Sequence, residues 1–181
     1  MEELEAGLEE IRRSPGDDGV LRLIVCRPST LERKVIQEGR LDPTEGLVGD
    51  NWRTRGNKHT PDGSGDPEMQ LTLMNARTIA LLAPDPDRWQ LAGDQLFVDL
   101  DLSPKNLPAG TRLELGSSVV EITSKPHTGC KKFVTRFGLD AMKFVNSPQG
   151  QKLRLRGVNA RVVQPGTIRT GDIVRKMRVY K

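Results

Sequence analysis

The 181-residue chain is 35% hydrophobic and 29% charged, with a net charge of +4, which suits a globular domain with a substantial core. No window approaches the apolar length needed to span a bilayer, and the acidic start Met1-Glu-Glu-Leu-Glu is unlike a secretory signal, so a cytoplasmic location without a membrane partner is expected. Cys26 and Cys130 are too few for a disulfide framework, and with two histidines they show no zinc spacing, so two free thiols are expected.

Leu4, Leu8 and Ile11 recur at helical spacing in an acidic segment that ends at Ser14-Pro-Gly-Asp-Asp-Gly19. This predicts a short amphipathic helix and a linker over residues 1–19, ahead of a domain over 20–181. Period two then prevails. Leu21, Leu23 and Val25 alternate with Arg22, Ile24 and Cys26 as a first strand, in which Cys26 reads as structural. The loop from Gly46 to Gly56 sets arginines beside glycines that permit close backbone approach, and 60–67 reads as an exposed loop. Residues 70–74 predict a strand, and 75–83 a short helix opened by an Asn cap. Leu96, Val98, Leu100 and Leu102 mark the clearest strand, and Leu113, Leu115, Val120 and Ile122 a hairpin turning at Gly116-Ser-Ser118. Helices are predicted over 131–137 and 140–145. Leu153 and Leu155, then Val158, Ala160 and Val162, supply further strand positions. Many short strands with Gly/Pro/Asp punctuation imply a mainly β fold, a sandwich or a closed barrel, with few helices.

Charge is divided unevenly. From Lys125 onward, 14 Lys and Arg face only Asp140 and Asp172, a net +12 against −8 for the rest of the chain. Such a surface binds anions. Phe133, Phe137, Phe144 and Tyr180 are its only aromatic platforms, and no helix-turn-helix, RNP or zinc-finger pattern accompanies them, so nucleic acid ranks last among the partners. A small polyanion such as a phosphorylated cofactor explains the charge at least as well.

Cys130 lies in this segment, just past Pro126 and Gly129 and followed at once by Lys131 and Lys132. Phe133 and Phe137 are four apart, so one face of a short helix can bury both. Cys130 then falls in the first turn of that helix, where the positive helix end, Lys131, Lys132, Arg136 or a protonated His127 favour thiolate over thiol. A persulfide carrier or a soft metal ligand needs such a group; a cysteine that only packs is the alternative. A Cys–His nucleophilic dyad with His127 needs an orienting third group, which the sequence does not reveal. Arg154, Arg156 and Arg161 suit the polar face of a strand. With Gly157 permitting close approach, Arg156 and Arg161 also suit bidentate phosphate recognition.

Four segments in order resemble the MOSC family, named for the C-terminal domain of molybdenum-cofactor sulfurases. They are GLVGD at 46–50, VDLDLSPKNLPAG at 98–110, HTGCKKFVTRFG at 127–138 and RLRGVNARVVQPGTIRTGD at 154–172, within a match from about Leu21 to Val174. The resemblance implies a closed β-barrel-like domain and a role around molybdenum cofactor (molybdopterin) or sulfur transfer. It makes Cys130 the functional thiol, carrying sulfane sulfur or, in the alternative, ligating molybdenum. It makes Lys132, Arg136, Arg156 and Arg161 candidates to hold the pterin and its phosphate, beside Lys131 and His127, with Asn106 and Asp50 lining the pocket. The sulfurases' pyridoxal-phosphate domain is not found in this sequence, so a separate pyridoxal-phosphate-dependent cysteine desulfurase is the expected donor, and a molybdenum-cofactor or metal–sulfur protein the acceptor. Three readings follow, in order: a sulfur carrier, a molybdenum-dependent reductase of N-hydroxylated compounds, and a nucleic-acid-binding module.

Overall fold

Leu96 and Val98 enter one apolar cluster while Phe97, between them, enters another, and this division between an inside and an outside organises the whole fold. The computed structural model describes residues 2–178; Tyr180 lies outside the described residues. The strands are β1 (Gly19–Cys26), β2 (Lys34–Ile36), β3 (Glu38–Asp42), β4 (Gly46–Leu47), β5 (Leu71–Asn75), β6 (Leu96–Asp99), β7 (Arg112–Leu115), β8 (Ser118–Ile122), β9 (Val158–Gln164), β10 (Gly166–Arg169) and β11 (Ile173–Lys176). Seven of them close a barrel in the order β1-β6-β5-β9-β8-β7-β11, and β11 returns to β1 through Gly19↔Val174 and Val20↔Ile173. Closure removes the unpaired edges that an open sheet would present. Each barrel neighbour is antiparallel except β5 and β6, whose parallel pairing requires a crossover. β2 extends the end of β1, and β10, β3 and β4 form a separate small sheet.

The helices are α1 (Glu2–Ala6), α2 (Leu8–Arg12), α3 (Trp52–Arg55), α4 (Ala76–Leu82), α5 (Lys131–Asn146) and α6 (Pro148–Leu153), with a 3-10 helix at Pro86–Ala92. None is long and apolar enough to cross a membrane among the described residues. As expected, Asn75 caps α4, its side chain accepting from Arg77 N and Thr78 N. α4 and the 3-10 helix form the crossover between β5 and β6. With α2 and α5 they cover the outer faces of β1, β5 and β6, where Ile11, Val25, Met74, Ile79, Phe97, Phe133 and Phe144 make a second core.

Four local expectations change. In β1 an irregularity between Leu21 and Leu23 resets the alternation, so Leu21 and Ile24 point inward while Leu23 and Val25 join the outer core. The strand predicted through Leu102 stops at Asp99, because Asp101 turns the chain by accepting Ser103 N at 2.9 Å. Leu153 is helical rather than extended: Ser147 caps α6, Pro148 occupies its first turn, and Arg154 ends it in the left-handed conformation at φ 49. The segment expected as a linker is tied to the barrel. Ser14 Oγ accepts from Asn75 Nδ2 at 2.8 Å, Asp101 N donates to Pro15 O, and Lys176 N donates to Asp17 Oδ1.

Candidate functional site

Local rules place Cys130 at one end of the barrel. β8 ends at Ile122, the chain runs extended to Cys130, and Cys130 is the N-cap of α5, its carbonyl accepting from Phe133 N and Val134 N. The thiol is exposed, whereas Phe133, in the first turn of α5, is buried with its ring 4.9 Å from that of Phe137. Cys130 opens onto a cleft of about 190 Å³ whose lining includes Arg27, Arg33, Arg55, Lys132, Arg136 and Arg156.

Two of these cations are fixed by buried carboxylates. Arg27, which follows β1, donates Nε to Asp50 Oδ2 and Nη2 to Asp50 Oδ1, both at 2.8 Å. Asp50 also accepts from the backbone N–H groups of Arg27 and Trp52, each at 2.9 Å, so its oxygens are occupied in holding Arg27. On the opposite wall Arg156, just before β9, donates Nη1 to Asp94 Oδ2 at 2.6 Å and Nη2 to Ala92 O at 3.0 Å, with its guanidinium 5.0 Å from the Phe133 ring centre. His127 Nε2 meets Asp94 Oδ1 at 2.9 Å. Burial would raise the Asp94 carboxyl, but the charge of Arg156 and the His127 hydrogen bond outweigh it and hold the group at about 2. Burial, and then Arg156, push the His127 imidazole below its ordinary value. A neutral imidazole beside a carboxylate carries its proton on Nε2, so the cationic His127 expected from the sequence is absent near neutral pH. Asp94 thus orients the His127 ring, a partnership that the sequence did not reveal.

The other four cations have no such partners. Among the described residues no carboxylate stands within ion-pair distance of Arg33, Arg55, Lys132 or Arg136. Arg136 is held by Leu91 O at 2.8 Å and Arg33 by Glu32 O at 2.7 Å. Burial lowers the Arg33 guanidinium from its ordinary value, as do Arg136 and Arg27; burial and Arg27 do the same to Arg55. Both remain protonated, as arginines do. Three buried polar atoms of the lining residues lack partners: Arg33 Nε, Arg156 Nε and Asn159 Oδ1.

Of the residues singled out by sequence, the structure gathers Cys130, His127, Lys132, Arg136 and Arg156 around one cleft, with Asp50 behind it. The remaining three lie elsewhere. Lys131 is exposed and does not line the cleft. Arg161 faces outward from β9 and pairs with Glu121 at 2.7 Å. Asn106 donates to Asp101 O and accepts from Lys176 Nζ. Arg27, Arg33 and Asp94 went unnoticed, since isolated residues far apart in the chain carry no motif, and Asn159 lay within the 154–172 segment without being singled out. Arg55 belongs to the glycine–arginine loop that did stand out. Cys26 is buried, and burial, with Asp50 nearby, pushes its thiol up, consistent with a packing role.

Beside the cleft, a cavity of about 350 Å³ shares His127 with it and is lined also by Asn146, Gln151 and Arg154.

The family profile described as MOSC domain matches residues 60–175. In three dimensions the chain is similar to a crystal structure described as an hypothetical protein (19% identity, TM-score 0.60, covering 91% of this chain and 70% of that one). It is similar also to YiiM from Escherichia coli (17%, 0.57, 90% and 71%) and to the YUAD protein from Bacillus subtilis (16%, 0.60, 88% and 97%). At these identities the likeness establishes the fold. A search of curated proteins finds no match.

Proposed function

Since this chain belongs to the MOSC domain family, which is associated with molybdenum cofactor and its sulfur, we propose that it is a sulfur carrier whose loaded thiol is Cys130. One observation carries this reading: the exposed thiol opens onto a cleft lined by six cationic side chains. Exposure lets a donor protein reach the sulfur, and the cations attract an anionic acceptor. Loading is a persulfide exchange. The Cys130 thiolate attacks the terminal sulfur of a desulfurase persulfide, the S–S bond of the donor breaks, and the donor cysteine leaves as a thiolate. That thiolate takes up the proton released by Cys130, which now bears the S–SH group.

The lining fits the anionic end of molybdenum cofactor. The unpartnered Arg33 Nε and Arg156 Nε are donors without acceptors, and Arg33, Arg136 and Arg156 would hold its phosphoryl end. A volume of about 190 Å³ lies below the roughly 300–1,000 Å³ of enclosed ligand pockets, so the pterin would extend beyond the cleft. Bound there, the cofactor would supply a metal centre that accepts sulfur.

The test is intact-mass measurement after incubation with a pyridoxal-phosphate-dependent cysteine desulfurase and cysteine. The wild type should gain one reducible sulfur atom, Cys26→Ala should gain it equally, and Cys130→Ala should gain none. A wild type that stays unloaded sinks the reading. Molybdenum and pterin that co-purify with the wild type and are lost from Cys130→Ala would instead favour Cys130 as a metal ligand.

A further inference from the structure

The geometry points to a cleft built for two anionic groups at once, so that the ligand class is a diphosphate rather than a single phosphate. This rests on the reading of the cleft as an anion site and goes beyond it in the number of groups held.

The first observation is a like-charged pair beside one glycine. A side-chain carbon placed on Gly93 would lie 3.5 Å from Arg33 Nη2 and 3.6 Å from Arg136 Nη1. The two guanidinium groups therefore confront one another across a single glycine, each tethered only to a backbone carbonyl. Gly93 has φ +89, a conformation that disfavours any side chain and keeps the space above it open. Two cations beside one glycine, neither with a carboxylate in ion-pair distance among the described residues, form a cradle for one oxyanion. Their repulsion is felt: Arg136 follows burial among the influences that lower Arg33.

The second observation concerns Arg156 in the same lining. Arg156 is 7% exposed and its Nε has no partner although its other nitrogens are bonded, whereas the unpartnered Asn159 Oδ1 in the same lining is an acceptor and takes no part in holding an anion. Asn159 Nδ2 is engaged with Lys125 O and Pro126 O, which fixes the orientation of its amide. Lys132 and Arg55 line the same cleft without carboxylates.

Charge decides the count. Four cations of the lining have no carboxylate within ion-pair distance among the described residues, whereas a phosphate monoester carries only about 1.5–2 negative charges at pH 7. A thiolate on Cys130 would supply at most one more. Two linked phosphoryl groups, one over Gly93 and one toward Arg156 and Lys132, meet both sets of donors.

The test uses thermal melting of the full chain with inorganic pyrophosphate or orthophosphate, at matched ionic strength and with a chelator present. Pyrophosphate should bind at least about tenfold more tightly than orthophosphate. Arg33→Gln, on an exposed loop, should bring the two to within about threefold, a loss of discrimination of at least about 0.7 kcal/mol. Gly93→Ala, which fills the cradle, should do the same if it folds. Equal affinities in the wild type would overturn the diphosphate inference and leave a single-anion cleft standing. No shift with either ion would overturn both.

Discussion

At the scale of single residues, the buried group Asp94–His127–Arg156 controls how the site responds to pH. The His127 value in the fold lies below its ordinary value of about 6.5, so just below that pH the unfolded chain binds more protons than the folded one. Stability therefore rises with pH there, and what neutral His127 contributes above about 6.5 is lost as the pH falls below it. Asp94 behaves alike at lower pH: its contribution is complete above 3.8 and lost as the pH falls toward about 2. That contribution is on the order of 2 kcal/mol. Urea midpoints should fall as the pH drops below about 6.5, and again below about 4. His127→Gln should remove the upper step. Asp94→Asn should cost about 3–5 kcal/mol at pH 7 by leaving Arg156 buried without its counter-charge. A midpoint that holds constant from pH 7 to 5 would refute the assignment to His127. The sequence showed His127 and Arg156 through their neighbours, but Asp94 belongs to no motif, and the 3-10 helix before it helps to bring it to them.

At the scale of elements, α5 is two helical segments folded back on each other. A straight helix of its 16 residues would separate its ends by about 24 Å. Yet Asn146, its last residue, accepts from Gly129 N at 2.8 Å and donates to Gly129 O at 3.2 Å. Gly138, at φ 88 and ψ 167, makes the reversal possible, and the clasp fixes the backbone next to Cys130. Gly138→Ala should destabilise by about 1–3 kcal/mol, since that conformation is almost confined to glycine. Asn146→Ala should cost about 1–2 kcal/mol, and Asn146→Asp should recover part of it by keeping the acceptor for Gly129 N. Denaturant titrations decide both, and an Asn146→Ala protein as stable as wild type would dismiss the clasp. Both segments were legible in the sequence, because Phe133, Phe137, Ala141 and Phe144 keep helical spacing on either side of the glycine. Their reversal was not, since a glycine signals freedom without direction. The Leu153–Leu155 alternation misled for a related reason: two periods of a short pattern fit a helix end as well as a strand.

At the scale of the whole molecule, the closed barrel was legible as a class, because alternation repeated along the chain needs two faces with one of them dry. The second core, outside the barrel, was not. It depends on the irregularity in β1 and on a parallel pairing of β5 and β6, neither of which leaves a periodic trace. The uneven charge proved informative in total but not in detail. Arg161 and Arg169 pair with glutamates on the surface, while Arg27, Arg33 and Arg55, from the acidic first part of the chain, complete the cleft. The arrangement of Asp50 behind Arg27 and Asp94 behind Arg156 leaves the surplus charge concentrated beside the thiol. The cleft should then sort reagents before any bond forms. Iodoacetate, an anion, should gain on neutral iodoacetamide in alkylating Cys130, relative to the same pair acting on a free cysteine peptide. The advantage should shrink as salt shortens the Debye length from about 30 Å at 0.01 M to about 3 Å at 1 M. A ratio indifferent to salt would place the thiol outside the field of the arginines. In a mixture of small thiol-reactive molecules, charge would determine which of them reaches Cys130 first.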